Sequence, residues 1–259
     1  MNSKKIKCDF LDNIFYEEKI DSTNKWAKRF YFENQNNPKS AVFIADMQTN
    51  GYGRFNRNWI CSKGNQINMT ILLFPKNNVD KLQQLCLCTA LAVYRSVNEL
   101  TGISCNIKWP NDILINNRKI CGILCENFFL NANKPATIIG IGLNVNNEIF
   151  DSSISEKVTS IFIESNHKIS RSTLINSILH NFFIYYNKFN LSKFNSIINE
   201  YKYACCSVNK FVKLYSNGSL VSGYAFDIDV NGNLLVRLNP KTIISVNHSE
   251  IISQSIYNS

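Results

Sequence analysis

The sequence predicts an α+β fold, in which a sheet with helices packed on it precedes a small β-barrel. As far as about residue 205, apolar residues alternate between helical and strand-like spacing. Beyond it, short apolar runs are separated by Asn-Gly pairs, which favour antiparallel strands joined by tight turns. With 259 residues, 45% of them hydrophobic, the chain can bury the core of one large and one small domain. We therefore place domains at residues 1–208 and 209–259.

Helix signals occur at four places in the first domain. Ser22 suits the N-cap of the first helix, because its hydroxyl can accept a hydrogen bond from a free N–H group. Asp80 begins the longest helix, and Thr101-Gly102 ends it. The predicted helices cover residues 23–32, 80–100, 170–188 and 191–203.

Strands are indicated by short apolar runs between turn-forming residues. Gly51 and Gly53 interrupt any regular spacing, so residues 47–58 are expected to form a loop. Asn-Asn and Asn-Gly pairs fit hairpin turns, because both central residues of such turns adopt positive φ. These pairs are Asn116-Asn117, Asn217-Gly218 and Asn231-Gly232. The predicted strands cover residues 41–46, 67–74, 104–109, 113–115, 119–128, 136–144, 211–215, 220–228, 234–238 and 243–246.

The chain carries a formal net charge of +9, but its basic residues are spread from Lys4 to Lys241. Two interpretations stay open, a basic but unspecialised surface or an attraction to an acidic partner. No apolar stretch approaches ~18 residues, so we expect no membrane span. No apolar run follows the N-terminal lysines, so we expect no signal peptide and a cytoplasmic protein.

Cysteine and histidine spacings do not suggest a metal site. The nine cysteines include Cys86/Cys88 and Cys121/Cys125, which lack the paired CxxC spacing of a zinc site. None of the three histidines pairs with a cysteine at ligand spacing. We expect most of the cysteines to be small buried apolar residues in a reducing compartment.

The run GYGRFNRNW at residues 51–59 combines flexible glycines with two cations and an aromatic ring. Gly51 and Gly53 allow the backbone to approach a phosphate and offer it N–H groups. Arg54 and Arg57 can neutralise nucleotide phosphates, and Trp59 offers a flat face to a purine. The alternative is a surface loop with two solvated arginines.

A second run, KWPNDI at residues 108–113, is followed by RKICGILCE at 118–126. Asp112 can hold a magnesium ion or fix a neighbouring cation. Lys119 follows a turn, with Gly122 three residues further on. If the strands pair, Lys108 and Lys119 are expected to converge on one side of the sheet. The alternative is a charged hairpin with a structural proline.

These two runs closely resemble signatures of the biotin protein ligases. The run at residues 51–59 resembles their GRGRxGRxW adenylate loop, and the runs at 108–113 and 118–126 resemble their KWPND…K(x)xGIL(x)E motif. DSTN at residues 21–24 resembles their STN biotin motif, and GIGLN at 140–144 their GxGxN strand. The motifs occur in the family's order and cover roughly residues 14–150. The resemblance implies a class II synthetase-like mixed sheet and, more weakly, a C-terminal SH3-like domain.

The resemblance also implies roles for individual residues. The residues at biotin would be Ser22, Thr23, Asn24, Gln48, Gly51, Tyr52, Gly53, Arg54, Lys119 and Gly122. Those at ATP would be Arg57, Trp59, Lys108, Asn111 and Asn144. The catalytic residues would be Arg54, Lys119 and Asp112, with Asp112 also a ligand of Mg²⁺. The family usually has Arg at the position of Tyr52 and Gly at the position of Asn56. We expect these two differences to affect how tightly the adenylate is retained more than how it is formed.

The implied enzyme forms biotinyl-5′-AMP from biotin and ATP, releasing pyrophosphate. It then transfers biotin to a lysine of a biotin carboxyl carrier protein, such as that of acetyl-CoA carboxylase, and works as a monomer or a homodimer.

One alternative is a lipoate or octanoate ligase of the same superfamily, although the KWPND and GxGRxxRxW runs favour biotin. Another is a biotin-binding regulatory protein. A DNA-binding form would need about 60 further residues before the STN motif, so we expect no nucleic-acid partner. A third alternative, a binding protein with a decayed site, conflicts with the presence of Arg54, Asp112 and Lys119.

Overall fold

A computed structural model describes residues 6, 11, 13–34, 36–75, 81–128, 136–191, 193–216, 218–247 and 249–255 of the chain. Within them, a seven-stranded mixed sheet carries helices on both faces, and a five-stranded antiparallel sheet follows it. The α+β class predicted from the sequence is confirmed. Among the described residues, no helix is both long and apolar enough to cross a membrane.

The elements of the first sheet and its helices occupy most of the chain. They are β1 Asn13–Ile20, α1 Thr23–Glu33, β2 Ala41–Gln48, β3 Gln66–Leu73, α2 Leu82–Thr101, β4 Asn106–Lys108, β5 Asp112–Ile115, β6 Arg118–Phe128, β7 Ala136–Asn144, α3 Ile161–Ser165, α4 Arg171–Asn190 and α5 Phe194–Ala204. The second sheet contains β8 Lys210–Ser216, β9 Ser219–Ile228, β10 Leu234–Asn239, β11 Thr242–Val246 and β12 Ile251–Ser255.

The first sheet has the strand order β1-β2-β3-β7-β6-β5-β4, with β1 parallel to β2 and the other neighbours antiparallel. Successive residues of β2 face opposite sides. Phe43 packs under α1, where the ring centroids of Trp26 and Phe30 lie 5.1 and 5.4 Å away. Val42 and Ile44 belong to the larger core with α2 and α4. Since both faces are covered, polar side chains inside these strands need a specific role.

The sequence does not predict three elements, β1, α3 and β12. Strand β1 lies at the sheet edge and carries charged residues at 17–19, so it lacks an apolar run. Helix α3 has five residues, too few for a periodic signal, and depends on its N-cap Ser160. Of the predicted turn and cap residues, Asp80 and Asn217 lie outside the described part of the chain.

The predicted hairpin turns are confirmed in part. The pair Asn116-Asn117 has φ values of 48° and 62°, as expected. Between β9 and β10 only Gly232 has positive φ, 86°, so the expectation for Asn231 is wrong. The reason is a longer connection, in which the Asp229 carboxylate accepts from the N–H groups of Asn231 and Asn233 at 2.8 and 2.9 Å. This local hydrogen bonding replaces a two-residue turn.

The second sheet has the order β11-β10-β9-β8-β12, and its outer strands β11 and β12 do not pair, so the described residues form an open sheet rather than a closed barrel. It shares one apolar core with the first sheet. The buried Trp109 donates from Nε1 to the carbonyl oxygen of Gly232 at 3.0 Å. Val212 and Leu214 of β8 extend the same core. The domain boundary at 208/209 stays a prediction.

Candidate active site

A cleft of about 240 Å³ opens beside α1, on the face of the first sheet that α1 covers. All the residues predicted for the site line it, except Gly51 and Lys108. Those that do are Ser22, Thr23, Asn24, Gln48, Tyr52, Gly53, Arg54, Arg57, Trp59, Asn111, Asp112, Lys119, Gly122 and Asn144. Segments far apart in the sequence therefore meet in one cavity.

The floor of the cleft is strand β7, where the GIGLN run places alternate residues on one face. A Cβ atom on Gly140 would lie 2.5 Å from Asn24 Oδ1. A Cβ atom on Gly142 would lie 2.5 Å from Cε2 of the Trp59 indole. Both approaches are closer than carbon atoms tolerate, so the two glycines let Asn24 and Trp59 lie directly on the sheet.

The first turn of α1 is joined to the end of β2. Ser22 occupies the N-cap position in extended conformation, but its side chain makes no capping hydrogen bond, so the predicted cap is wrong. Gln48 Oε1 instead accepts from the backbone N–H of Thr23 at 2.8 Å and from its hydroxyl at 3.1 Å. Gln48 thus satisfies the first free N–H group of the helix, and Ser22 lines the cleft.

Asn68 joins two predicted site residues and was not predicted itself. Its Oδ1 accepts from Gln48 Nε2 and from Trp59 Nε1, both at 3.3 Å. Its Nδ2 donates to the carbonyl oxygen of Ala45 at 3.3 Å. Asn68 is 1% exposed, so the amide cannot rotate into water without losing these partners. It holds the side chains expected at biotin and at the purine in fixed relation.

Two more polar residues of β3 lie at alternate positions on the same face. Gln66 Nε2 donates to Asn144 Oδ1 at 2.8 Å. Thr70 Oγ1 lies 2.8 Å from the Thr23 hydroxyl and 2.5 Å from Asn24 Oδ1. Their spacing in an otherwise apolar, wholly buried strand is the sequence signal that could have revealed them.

Lys119 and Asp112 form the charged centre of the cleft. Lys119 Nζ lies 2.7 Å from Asp112 Oδ1, an ion-pair distance. The angle does not suit a hydrogen bond, and no donor among the described residues points at this buried oxygen. The pairing of β5 with β6 shifts register between Ile113 and Leu114, and such a bulge changes the local direction of β6, the strand that carries Lys119. A Cβ on Gly122 would lie 3.0 Å from Lys119 Nζ, so glycine leaves the path of this side chain clear.

The arginines of the 51–59 loop reach residues beyond the first sheet. Arg54 donates to Asn111 Oδ1 at 3.0 Å and to the carbonyl oxygen of Ser249 at 2.9 Å. Arg57 Nη1 lies 2.6 Å from Glu250 Oε1. Glu250, which precedes β12, also lines the cleft. Sequence reasoning could not find this contact, because nothing near residue 250 signals its long-range partner.

Two predicted site residues lie outside the lining. Gly51 is part of the base of the loop, where its carbonyl oxygen accepts from Trp59 N at 2.9 Å. A Cβ there would lie 2.9 Å from Gln48 Nε2, so Gly51 packs against the Gln48 side chain without lining the cleft itself. Lys108 pairs in register with Asp112, whereas Lys119 pairs with Leu114, so the two lysines are not neighbours across the strands. Cross-strand partners project to the same face, so Lys108 lies on the side of Asp112, whose carboxylate contacts Lys119, and convergence of the two lysines stays a prediction.

Tyr52, Glu126 and Lys28 form a polar cluster at the α1 side of the loop. Burial, and then the Glu126 carboxylate, raise the pKa of Tyr52, so its phenol stays protonated at neutral pH. Burial lowers the pKa of Lys28, but Glu126 and Tyr52 outweigh that effect and the pKa rises overall. At neutral pH Tyr52 is thus a neutral hydrogen-bond donor and Lys28 carries an ammonium group.

Among the described residues, no group of three or more His, Cys, Asp or Glu side chains is arranged to hold a metal. The cysteines that the structure describes are free thiols. Burial raises the pKa of several of them, including Cys88 and Cys121. Thiols of this kind are poor nucleophiles and poor metal ligands.

Comparisons with known proteins agree with this geometry. The Biotin/lipoate A/B protein ligase family matches residues 16–146. The bifunctional ligase/repressor BirA of Bacillus subtilis is 33% identical over 229 residues, which cover 88% of this chain and 70% of that protein. The biotin–[acetyl-CoA-carboxylase] ligase of Paracoccus denitrificans is 36% identical over 108 residues, covering 41% of this chain and 45% of that protein.

A solved structure extends the similarity to both sheets. The biotin protein ligase from Aquifex aeolicus in complex with biotin and ATP superposes with a TM-score of 0.82 at 26% identity. The superposition covers 95% of this chain and 100% of that one. The resemblance found in the sequence motifs is thereby confirmed. The chain belongs to the biotin/lipoate A/B protein ligase family.

Proposed function

We propose that this protein is a biotin protein ligase, which converts biotin and ATP to biotinyl-5′-AMP and pyrophosphate and then transfers biotin to a lysine of a carrier protein. One observation carries the proposal. Arg54 of the loop and Lys119 of β6 line the same cleft, together with Trp59. Cations from two separate segments can therefore meet one anion beside an aromatic platform.

The chemistry explains why such convergence is useful. A carboxylate does not acylate an amine at neutral pH, since its leaving group is poor. In the proposed reaction the biotin carboxylate attacks the α-phosphorus of ATP and expels pyrophosphate. Negative charge develops on the phosphoryl oxygens, and fixed cations such as Lys119 and Arg54 stabilise it. Trp59, lying on Gly142, is suited to stack on the adenine.

Magnesium is a further part of this proposal, and Asp112 is the residue that fits it. Mg²⁺ in nucleotide sites commonly uses one or two carboxylates together with substrate phosphates and water. Asp112 supplies a buried oxygen that no well-directed donor satisfies, although Lys119 lies beside it. When bound, the ion would offset the phosphate charge that Asp112 would otherwise repel.

Transfer to the carrier needs the neutral form of the lysine amine. We assign Asp112 as the base that accepts the proton lost by the amine. Its carboxylate lies 2.7 Å from Nζ of Lys119, the cation proposed to bind the phosphate. The loop excludes water from the mixed anhydride while the amine attacks. Since the Paracoccus relative is named a biotin–[acetyl-CoA-carboxylase] ligase, we infer a carrier of that kind.

Transfer of labelled biotin to a purified carrier domain, with and without ATP, tests the proposed function. We expect labelling only with ATP and only on the carrier lysine. The same assay with lipoate and octanoate distinguishes the rival acids, because the matched family also includes lipoate ligases. Labelling with lipoate but not with biotin would refute the proposal.

A further inference from the structure

The 51–59 loop folds as a small flap over the cleft. Tyr52 and Asn58 form a β-bridge across it, and Gly53 N donates to the carbonyl oxygen of Arg57 at 2.8 Å. Phe55, at the tip, is 65% exposed and has a φ of 55°. Tyr52, Gly53, Arg54 and Arg57 of the flap line the cleft together with Gly140 and Gly142 of β7.

On the α1 side, the flap contacts strand β6 through the side chain of Tyr52. Tyr52 OH donates to Glu126 Oε2 at 2.9 Å. Glu126 lies on β6, seven residues after Lys119 in the sequence. The hydrogen bond therefore joins the flap to the strand that carries the central lysine.

A third residue completes the cluster from α1. Lys28 Nζ lies 3.1 Å from Glu126 Oε1 and 3.4 Å from Tyr52 OH. Asn24 Nδ2 also approaches Glu126 Oε2, at 3.4 Å. Helix, strand and flap thus meet at one carboxylate. The flap contributes a neutral phenol to this cluster, and helix α1 contributes the cation.

We propose that Tyr52, Glu126 and Lys28 form a latch that holds the flap closed, and that the latch sets how slowly the acyl-adenylate leaves the cleft. The inference rests on the proposed function, since it assumes that an adenylate forms there. Opening the flap breaks a hydrogen bond to a charged acceptor, and a bond of this kind corresponds to about a tenfold change in rate. Tyr52 acts through the flap and is a positioning residue.

Release of labelled biotinyl-adenylate, measured in the absence of carrier, tests the latch. Enzyme is loaded with labelled biotin and ATP and then chased with unlabelled biotin. We expect Tyr52→Phe to release the adenylate about tenfold faster than wild type. Tyr224→Phe is the matched control, because it also removes a tyrosine hydrogen bond, to Asn209 Oδ1 at 3.3 Å, but on the second sheet. Its release rate should equal that of wild type.

Glu126→Gln distinguishes a latch from a local structural effect. This variant keeps the shape of the side chain and removes the charge that Tyr52 and Lys28 share, so we expect faster release again. The double variant Tyr52→Phe/Glu126→Gln should release adenylate no faster than the faster single variant, since both changes break the same contact. Multiplied effects, or unchanged release from Tyr52→Phe, would overturn the latch.

Adenylate formation by wild type separates failure of the proposed function from failure of the latch. If wild type forms no labelled adenylate at all, the proposed function is refuted and the latch falls with it. If wild type forms adenylate and Tyr52→Phe releases it at the wild-type rate, only the latch is refuted.

Discussion

The indole of Trp59 lies on Gly142 so closely that a Cβ at residue 142 would come within 2.5 Å of Cε2 and 2.7 Å of Cζ2. The position of the ring thus depends on a missing side chain in β7. A substitution at Gly142 is therefore expected to affect nucleotide binding more than biotin binding.

We expect Gly142→Ala to displace Trp59 and to raise the KM for ATP at least tenfold, with a smaller change in the KM for biotin. Overpacking a tight contact costs about 1–3 kcal/mol, and the ring can relieve it only by leaving the sheet. Steady-state kinetics with each substrate varied in turn would show the split. Equal changes in both KM values would argue that Trp59 does not face the nucleotide.

Lys119→Ala should slow biotin-dependent pyrophosphate release by about 10²–10³-fold, the usual effect of losing one group that stabilises developing charge. Lys157→Ala is the matched control, because this exposed lysine lies beside the Lys119 strand and its carbonyl oxygen accepts from Lys119 N. The control should keep the wild-type rate. Near-normal pyrophosphate release by Lys119→Ala would remove the residue from the mechanism.

Asn68→Ala should impair both substrates together. The change leaves Gln48 Nε2 and Trp59 Nε1, both on half-buried side chains, without their common acceptor. The expected cost is about 1 kcal/mol, the lower end of the range for a buried group. We expect the KM values for biotin and for ATP each to rise several-fold. An effect on one substrate alone would show that Asn68 does not couple the two halves of the cleft.

The Asp46 carboxylate should make stability depend on acid pH. Burial raises its pKa, but hydrogen bonds from Tyr16 and Arg171 outweigh that effect and hold the pKa below its ordinary value. A depressed pKa stabilises the fold above the unfolded pKa of about 3.9, and the contribution is lost as pH falls through the folded value. Asp46→Asn should therefore cost about 3 kcal/mol of unfolding free energy at pH 7, since it breaks a buried pair. The difference from wild type should shrink below about pH 4, and urea titrations at several pH values would show this; a constant difference would contradict it.

The sequence predicted most helices and strands because their apolar periods are clear. It also predicted many of the residues that line the cleft, through motifs that combine glycines with cations. It did not predict β1, whose charged residues hide an edge strand, or Asn68, whose partners are set by packing. The Ser22 side-chain cap is wrong, and the hydrogen bond found at the helix start comes from Gln48, which is distant in sequence. Glu250 shows the same limit, since its contact with Arg57 depends on how the second sheet packs.

A crystal structure with a non-hydrolysable biotinyl-adenylate analogue would show whether Lys119 and Arg54 bind the same phosphate. We predict that Lys119 Nζ and an Arg54 guanidinium nitrogen both lie within hydrogen-bond distance of the phosphate group, with Trp59 against the adenine. Binding of the analogue with Lys119 still on Asp112, Arg54 still on Asn111 and Ser249, and neither cation at the phosphate would contradict the proposed roles of both residues.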